Sequence, residues 1–322
     1  LLSLKFCGKA ETSLSMASGT GLYDLHKLEW DTELLKYLKL RPAALSTIGI
    51  EQQLLKKWQR RWPQLAEALW HPSIADGAAN NVGSEAVDGS TAALMVGTSA
   101  ALRVILNRPP SKIPKGLFCY RLDADRLVLG GALSDGGGFY DWLRRNLEIR
   151  TSDAALGKEL RSRGPGARGL VLMPFFAGER STGYNEFAAG SIHGLTIAHD
   201  SIDILQAAME SVAYRLAEIL DQIESVTPVK RIIASGGALS ASKVWPQIIA
   251  DVLGRDLELF RESEASMRGA VLLALRTTGK IELSDTAAPR FSKIKFDPGT
   301  HAAYRPAFER HRAHYQNIDT KP

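Results

Sequence analysis

Four glycine clusters limit what this chain can fold into more than any other feature. They are Gly97-Thr98-Ser99, Gly130-Gly131, Gly136-Gly137-Gly138 and Gly236-Gly237-Ala238, and each reads as the end of a short apolar run. Thr91 to Val96, Leu102 to Leu106, Leu117 to Leu122 and Arg126 to Leu129 suit buried strands, broken by Pro109-Pro110 and by Asp123-Ala124-Asp125. Gly169 to Pro174, Arg231 to Ala234 and Leu257 to Phe260 read the same way. Helices are predicted between them: Phe139 to Leu147, about Ser240 to Leu253, and Ala265 to Leu275. The longest is Ser201 to Ile223, where Ile204, Ala207, Ala208, Val212, Leu216 and Leu220 share one face. Strands alternating with helices imply an α/β layered fold. The opening 86 residues are mixed, with helical spacing over Trp30 to Leu40 and over Glu51 to Trp70, the second interrupted near Pro63. Residues 286 to 322 are polar and aromatic and read as a surface tail.

Composition excludes several classes. At 322 residues the length suits about two domains. With 45% hydrophobic and 23% charged residues, the chain is neither disordered nor fibrous, and no run approaches the ~18 apolar residues of a membrane span. The +5 balance is modest. The basic run Lys56-Lys57-Trp58-Gln59-Arg60-Arg61-Trp62 reads as an amphipathic helix rather than a nucleic-acid patch. Cys7 and Cys119 are too few for a disulfide framework and fit a reducing compartment, so a cytoplasmic location is expected. Leu1 to Phe6 is a poor signal peptide. It reads as the end of an apolar element, so the chain is expected to be cut at its start.

Glycine lets backbone amides approach a ligand, and a strand, a glycine pair and a helix in that order make a phosphate or nucleotide site. The alternative for each cluster is a plain tight turn, but several clusters after strands in one α/β chain favour a shared cleft. There is no GxxxxGK[ST]. Gly164-Pro165-Gly166-Ala167-Arg168-Gly169 matches GxGxxG but precedes a strand, which a dinucleotide loop does not. Asp76, among the small residues of Ala75-Asp76-Gly77-Ala78-Ala79, reads equally as a base for a substrate hydroxyl and as a helix N-cap. Asp88-Gly89-Ser90 reads as a turn. Glu179-Arg180 reads as a loop-holding ion pair more readily than a substrate contact. The histidines, including His311 and His314 in the tail, lack metal-site partners, so no metal ligand is assigned. No serine sits in GxSxG.

These pieces, taken in order, resemble the C-terminal part of the FGGY carbohydrate kinases of the actin-like ATPase and sugar kinase superfamily. The similar stretches are Ala17-Ser18 with Trp30-Asp31, Asp76-Gly77, Val96-Gly97-Thr98-Ser99, and Gly131-Ala132 through Gly137 with Trp142-Leu143. They continue with Gly178-Glu179-Arg180 and Gly194-Leu195, Ser235-Gly236-Gly237-Ala238 with Trp245, Gln247 and Ala250-Asp251, and Glu264-Ala265-Ser266 with Arg268-Gly269-Ala270. The resemblance covers about residues 10 to 280.

It implies an actin-like ATPase, ribonuclease H-like α/β fold of two domains, the first incomplete. Residues 1–86 would be the remainder of the sugar-binding domain, 87–285 the nucleotide-binding domain and 286–322 a tail. The implied activity is ATP-dependent phosphorylation of a sugar, sugar acid or polyol hydroxyl. Asp76 would be the base, with Gly77 beside it at the substrate. Gly97, Thr98 and Gly137 would hold the ATP phosphates, Gly237 and Ala238 the adenosine, and Mg2+ would bridge the phosphates. The run from Asp76 to Ser84 is most similar to gluconate kinases, then to xylulose or other pentulose kinases. The expected partner is a small sugar or sugar acid, with neither nucleic acid nor membrane; a homodimer is compatible. Two departures stand out. The Asp-x-Gly-Thr loop with which members begin is not in this sequence, so little activity is expected of this polypeptide alone. Ala241 stands where several members carry Asn near the adenine. The competing reading is a non-catalytic remnant that binds nucleotide or a partner.

Overall fold

The computed structural model describes residues 1–317 apart from 51, 263 and 282–288. The opening region holds four short helices, α1 (Leu2–Cys7), α2 (Leu14–Ser18), α3 (Thr32–Tyr37) and α4 (Lys56–Arg61). Its strands are two residues each: β1 (Glu11–Thr12) pairs with β4 (Thr47–Ile48), and β2 (Tyr23–Asp24) with β3 (Glu29–Trp30). The helix predicted over Glu51 to Trp70 shrinks to α4 and a 3-10 turn at Pro63–Leu65. Proline ends it, and Trp58 and Trp62 stack on each other while Phe6 meets Trp58 edge-on and Trp62 at a tilt. The basic run is thus one side of an aromatic cluster.

Helix α5 (Asp76–Gly83) leads into the main sheet. Its strands are β5 (Thr91–Val96), β6 (Ala100–Leu106), β7 (Phe118–Arg121), β8 (Leu127–Leu133), then, after α6 (Gly137–Asn146), α7 (Asp153–Arg163), the separate pair β9 (Val171–Met173) and β10 (Ser191–His193), and α8 (Ser201–Glu224), also β11 (Arg231–Ser235). Helices α9 (Gly237–Ala241) and α10 (Trp245–Leu253), strand β12 (Leu257–Phe260), helix α11 (Ala265–Thr277), strand β13 (Phe291–Ile294) and helix α12 (Pro298–Asn317) complete the chain. The seven-stranded order is β13-β12-β11-β5-β6-β8-β7. The centre, β12-β11-β5, is parallel, while β6, β7, β8 and β13 pair antiparallel.

Both faces of the sheet are covered, so its strands are near-continuously apolar. Ala92, Leu94 and Val96 of β5 face a core built with α6, α8, α10 and α12. Ala93 of β5 and Ile105 of β6 turn the other way, toward α5 and α11. Helix α8 begins with a reciprocal cap between Asp200 and Asp203. This is the helix-covered α/β layering expected.

Three further expectations change. Gly130 and Gly131 lie inside β8, not at a strand end. A Cβ on Gly130 would stand 2.9 Å from Arg103 Cα, and one on Gly131 2.7 Å from Ile219 of α8, so these glycines admit neighbouring elements. The helix predicted from Ser240 breaks at Ser242, whose hydroxyl accepts from the Val244 and Trp245 amides where α10 begins. The tail reading fails for Pro298–Asn317, which is a helix with Tyr304, Ala307, Phe308 and His311 buried. The boundary placed at 285–286 lies outside the described residues.

Candidate functional site

Three glycine turns meet at the ends of β5 and β11. Gly97-Thr98-Ser99 connects β5 to β6 and is closed by the Gly97 amide donating to Ser99 O, 2.9 Å. The start of α6 docks onto it: Gly137 N donates to Gly97 O at 2.7 Å and Gly138 N to Thr98 O at 3.1 Å. Gly236, at φ +107, passes so close to Val96 that any Cβ would overlap its carbonyl, a backbone conformation and an approach that only glycine supports. The structure therefore brings together Gly97, Thr98, Gly137, Gly237 and Ala238 from segments far apart in sequence.

Their exposures divide them. Gly97 and Gly237 face open space, since a Cβ on either would meet nothing within 4 Å. Thr98 is exposed and its hydroxyl is unengaged among the described residues. Gly137 is buried against Gly97 O and Ala238 Cβ with its amide spent. Its place is that of a spacer between the turns. Gly97, Thr98 and Gly237 thus leave one open wall at the ends of β5 and β11. Trp245 and Asp251, from the stretch similar to an adenosine segment, turn inward instead: Trp245 Nε1 donates to Met209 O, and Asp251 accepts from Asp297 N at 2.8 Å.

Asp76 is the first residue of α5. The N-cap position belongs to Ala75, and no side chain caps the helix. Of the two readings of Asp76, capping is therefore not realised. Its carboxylate is exposed and, among the described residues, accepts no hydrogen bond, which leaves its lone pairs for a proton. One turn on, about 6 Å along the axis, Asn80 Nδ2 reaches Ser235 Oγ at 3.5 Å. Ser235 precedes Gly236, so the helix that starts with Asp76 is joined to the open glycine turns. Asn81 Nδ2 donates to Arg103 O at 3.3 Å, tying α5 to β6.

Two charged residues escaped the sequence reading. Arg103 lies in β6 beneath Asp76 and Gly77, buried; burial lowers its affinity for its proton, which Tyr120 and Asp76 oppose. Its signal was visible: one arginine in the apolar run Ala100 to Leu106. Asp135, buried just before Gly136, receives the Ala177 amide at 3.3 Å, yet burial raises its carboxyl above the usual range.

Glu179 and Arg180 do not pair with each other. Glu179 is buried against Arg215 of α8 and accepts from Tyr315 of α12 at 2.7 Å, which anchors the loop, while Arg180 is exposed. Asp88 makes the expected turn, accepting from Ser90 N at 2.7 Å. Among the described residues no three His, Cys, Asp or Glu side chains form a metal cluster. No helix among the described residues is long and apolar enough to cross a membrane.

Comparison with known proteins points one way. Residues 92–278 match the FGGY family of carbohydrate kinases, C-terminal domain. The chain is 31% identical over 293 residues to a gluconokinase of Bacillus subtilis (strain 168), covering 85% of this chain and 56% of that protein. It thus spans little more than half the length of this curated relative. Among solved structures it is similar to a ligand-bound xylulose kinase from Lactobacillus acidophilus, with TM-score 0.89 and 26% identity over 98% of this chain and 66% of the other. It is also similar to a gluconate kinase from Lactobacillus acidophilus, with TM-score 0.88, the same identity and the same coverage.

Proposed function

The chain belongs to the FGGY family of carbohydrate kinases, and on that premise we propose that it serves ATP-dependent phosphorylation of a hydroxyl on a sugar or sugar acid. Gluconate is the favoured acceptor, supported by the 31% identity to a gluconokinase; xylulose is second, supported by the likeness to a xylulose kinase structure. In this reading residues 1–86 lie on the acceptor side, and 87–285 form the nucleotide side.

The observation that carries it is the link between an unbonded, exposed carboxylate at Asp76 and the open glycine turns, made through α5 and the Asn80–Ser235 contact. Asp76 takes the proton of the acceptor hydroxyl as that oxygen bonds to the terminal phosphorus. The bond from that phosphorus to the bridging oxygen breaks, and ADP leaves. Gly77 keeps the space beside the acid clear. Gly97, Gly237 and the Thr98 hydroxyl let the phosphates lie against backbone, while Ala238 borders the nucleoside. Magnesium, when bound with the nucleotide, would supply charge neutralisation on the phosphates. Catalysis of this kind is mostly positioning and electrostatics.

Asp76→Asn, made in a kinase chain that carries this sequence together with an Asp-x-Gly-Thr loop, tests the reading by ADP-release assay and nucleotide titration. Phosphoryl transfer is expected to fall by about 10²–10⁴ with ADP affinity unchanged. Undiminished transfer in the variant would overturn the assignment of the base.

A further inference from the structure

Arg103 is out of place as a purely structural residue. It sits in β6 between Leu102 and Val104, both fully buried, and is itself 8% exposed. Its Nη1 is buried without a hydrogen-bond partner, and among the described residues no carboxylate forms an ion pair with it. Arginine does not shed its proton, so a buried, unpaired guanidinium demands an anion from somewhere. The head lies against the backbone of Gly77: a Cβ there would stand 2.7 Å from Arg103 Nε and 2.8 Å from Tyr120 Oη. Burial keeps the Tyr120 phenol protonated, so it is an O–H donor beside the guanidinium. Arg180, exposed, adds a second positive charge to the surroundings of Arg103, against the one negative charge of Asp76.

We propose that Arg103 is the specificity-determining cation for the acceptor, and that it selects a sugar acid by receiving its carboxylate next to Asp76, with Tyr120 assisting. A neutral polyol leaves Nη1 unpaired; a carboxylate satisfies it through the flat two-nitrogen fork of the guanidinium. The excess of positive charge at this place favours an anionic acceptor over a neutral one of the same length. The inference rests on the kinase reading and deepens it.

The test is calorimetric titration of D-gluconate and of D-glucitol, which has the same carbon chain with CH2OH in place of the carboxylate. The chain is titrated with ADP present, alongside ADP alone. The wild-type chain is expected to prefer gluconate by about ten-fold or more. Arg103→Met should bring that ratio close to one while changing ADP affinity less than about two-fold, and Arg103→Lys, with the charge but not the fork, should keep part of the preference. A wild-type ratio near one overturns the proposal without any variant. It is equally overturned by an unchanged preference in Arg103→Met, or by a variant that loses ADP instead, which would assign the cation to the nucleotide phosphates. A chain that binds ADP and phosphorylates glucitol as well as gluconate leaves the kinase reading standing and removes this one. A chain that binds neither ADP nor either polyol removes both.

Discussion

Helices α5 and α11 cross backbone to backbone on the Asp76 side of the sheet, and Gly83→Ala probes that crossing. A Cβ on Gly83 would overlap the Ala265 carbonyl oxygen and stand 2.7 Å from Ala265 C and Gly269 N. The relation is mutual, because a Cβ on Gly269 would overlap the Ala79 carbonyl. These are main-chain atoms within helices and cannot swing aside as a side-chain tip does. Carbon atoms pack at about 3.5–4.0 Å, so the helices must part by on the order of 1 Å. That loosens the contacts of Ala78, Val82 and Leu272 and stretches the Arg268 Nη1 donation to Gly83 O, 2.6 Å. Overpacking of this kind costs about 3 kcal/mol, the upper part of the usual range. Alanine's better helix propensity returns at most about 1 kcal/mol, so the clash wins and the net loss is about 2 kcal/mol. At roughly 2–4 °C per kcal/mol, Tm by circular dichroism should fall about 4–8 °C. Gly237→Ala is the control: its Cβ meets nothing within 4 Å, and its Tm should stay within about 2 °C. If Gly83→Ala melts with the wild type, the backbone contact does not hold α5 in place and the reasoning is wrong.

Two other predictions concern buried charge. Glu210 of α8 accepts from Gln206 Nε2 at 2.8 Å and Gly166 N at 3.0 Å, yet burial pushes its carboxyl from 4.5 up to about 7. The folded state therefore binds this proton more tightly than the unfolded chain does. The contribution is complete below about pH 4.5 and is lost as pH rises through about 7, a change of about 3 kcal/mol. Urea unfolding of wild type and Glu210→Gln at pH 5 and pH 8 should show that part of the slope only in the wild type; identical slopes would refute it. Arg215 is fully buried between Glu179 and Glu218, with its guanidinium 4.2 Å over the Tyr315 ring. Arg215→Met strands two acids and should cost about 3–5 kcal/mol, read as a lower urea midpoint. A loss below about 1 kcal/mol would mean the ion pairs are not what holds the Glu179 loop.

The elements legible in the sequence are those whose signal is local. Apolar runs ending in glycine marked β5 and β11, and the 3.6-residue stripe marked α8, because burial on both faces and on one face leave different periodicities. Asp76, Gly97, Thr98 and Gly237 stand out in the sequence as candidates because strand ends and helix starts are where such residue types can meet a ligand. Tyr304, Ala307, Phe308 and His311 also carry a helical stripe, but polar and small members and the internal Pro306 concealed α12. What tertiary structure alone decided lies between distant segments. Gly130 and Gly131 look like a turn until Ile219 is seen against them. Glu179 looks like a partner for its neighbour Arg180 until α8 delivers Arg215. Arg103 is one charge in a strand until α5 lays Asp76 and Gly77 over it. Periodicity and propensity act over a few residues, whereas the pairing of buried charges and the fit of backbone against backbone depend on which surfaces the chain brings face to face.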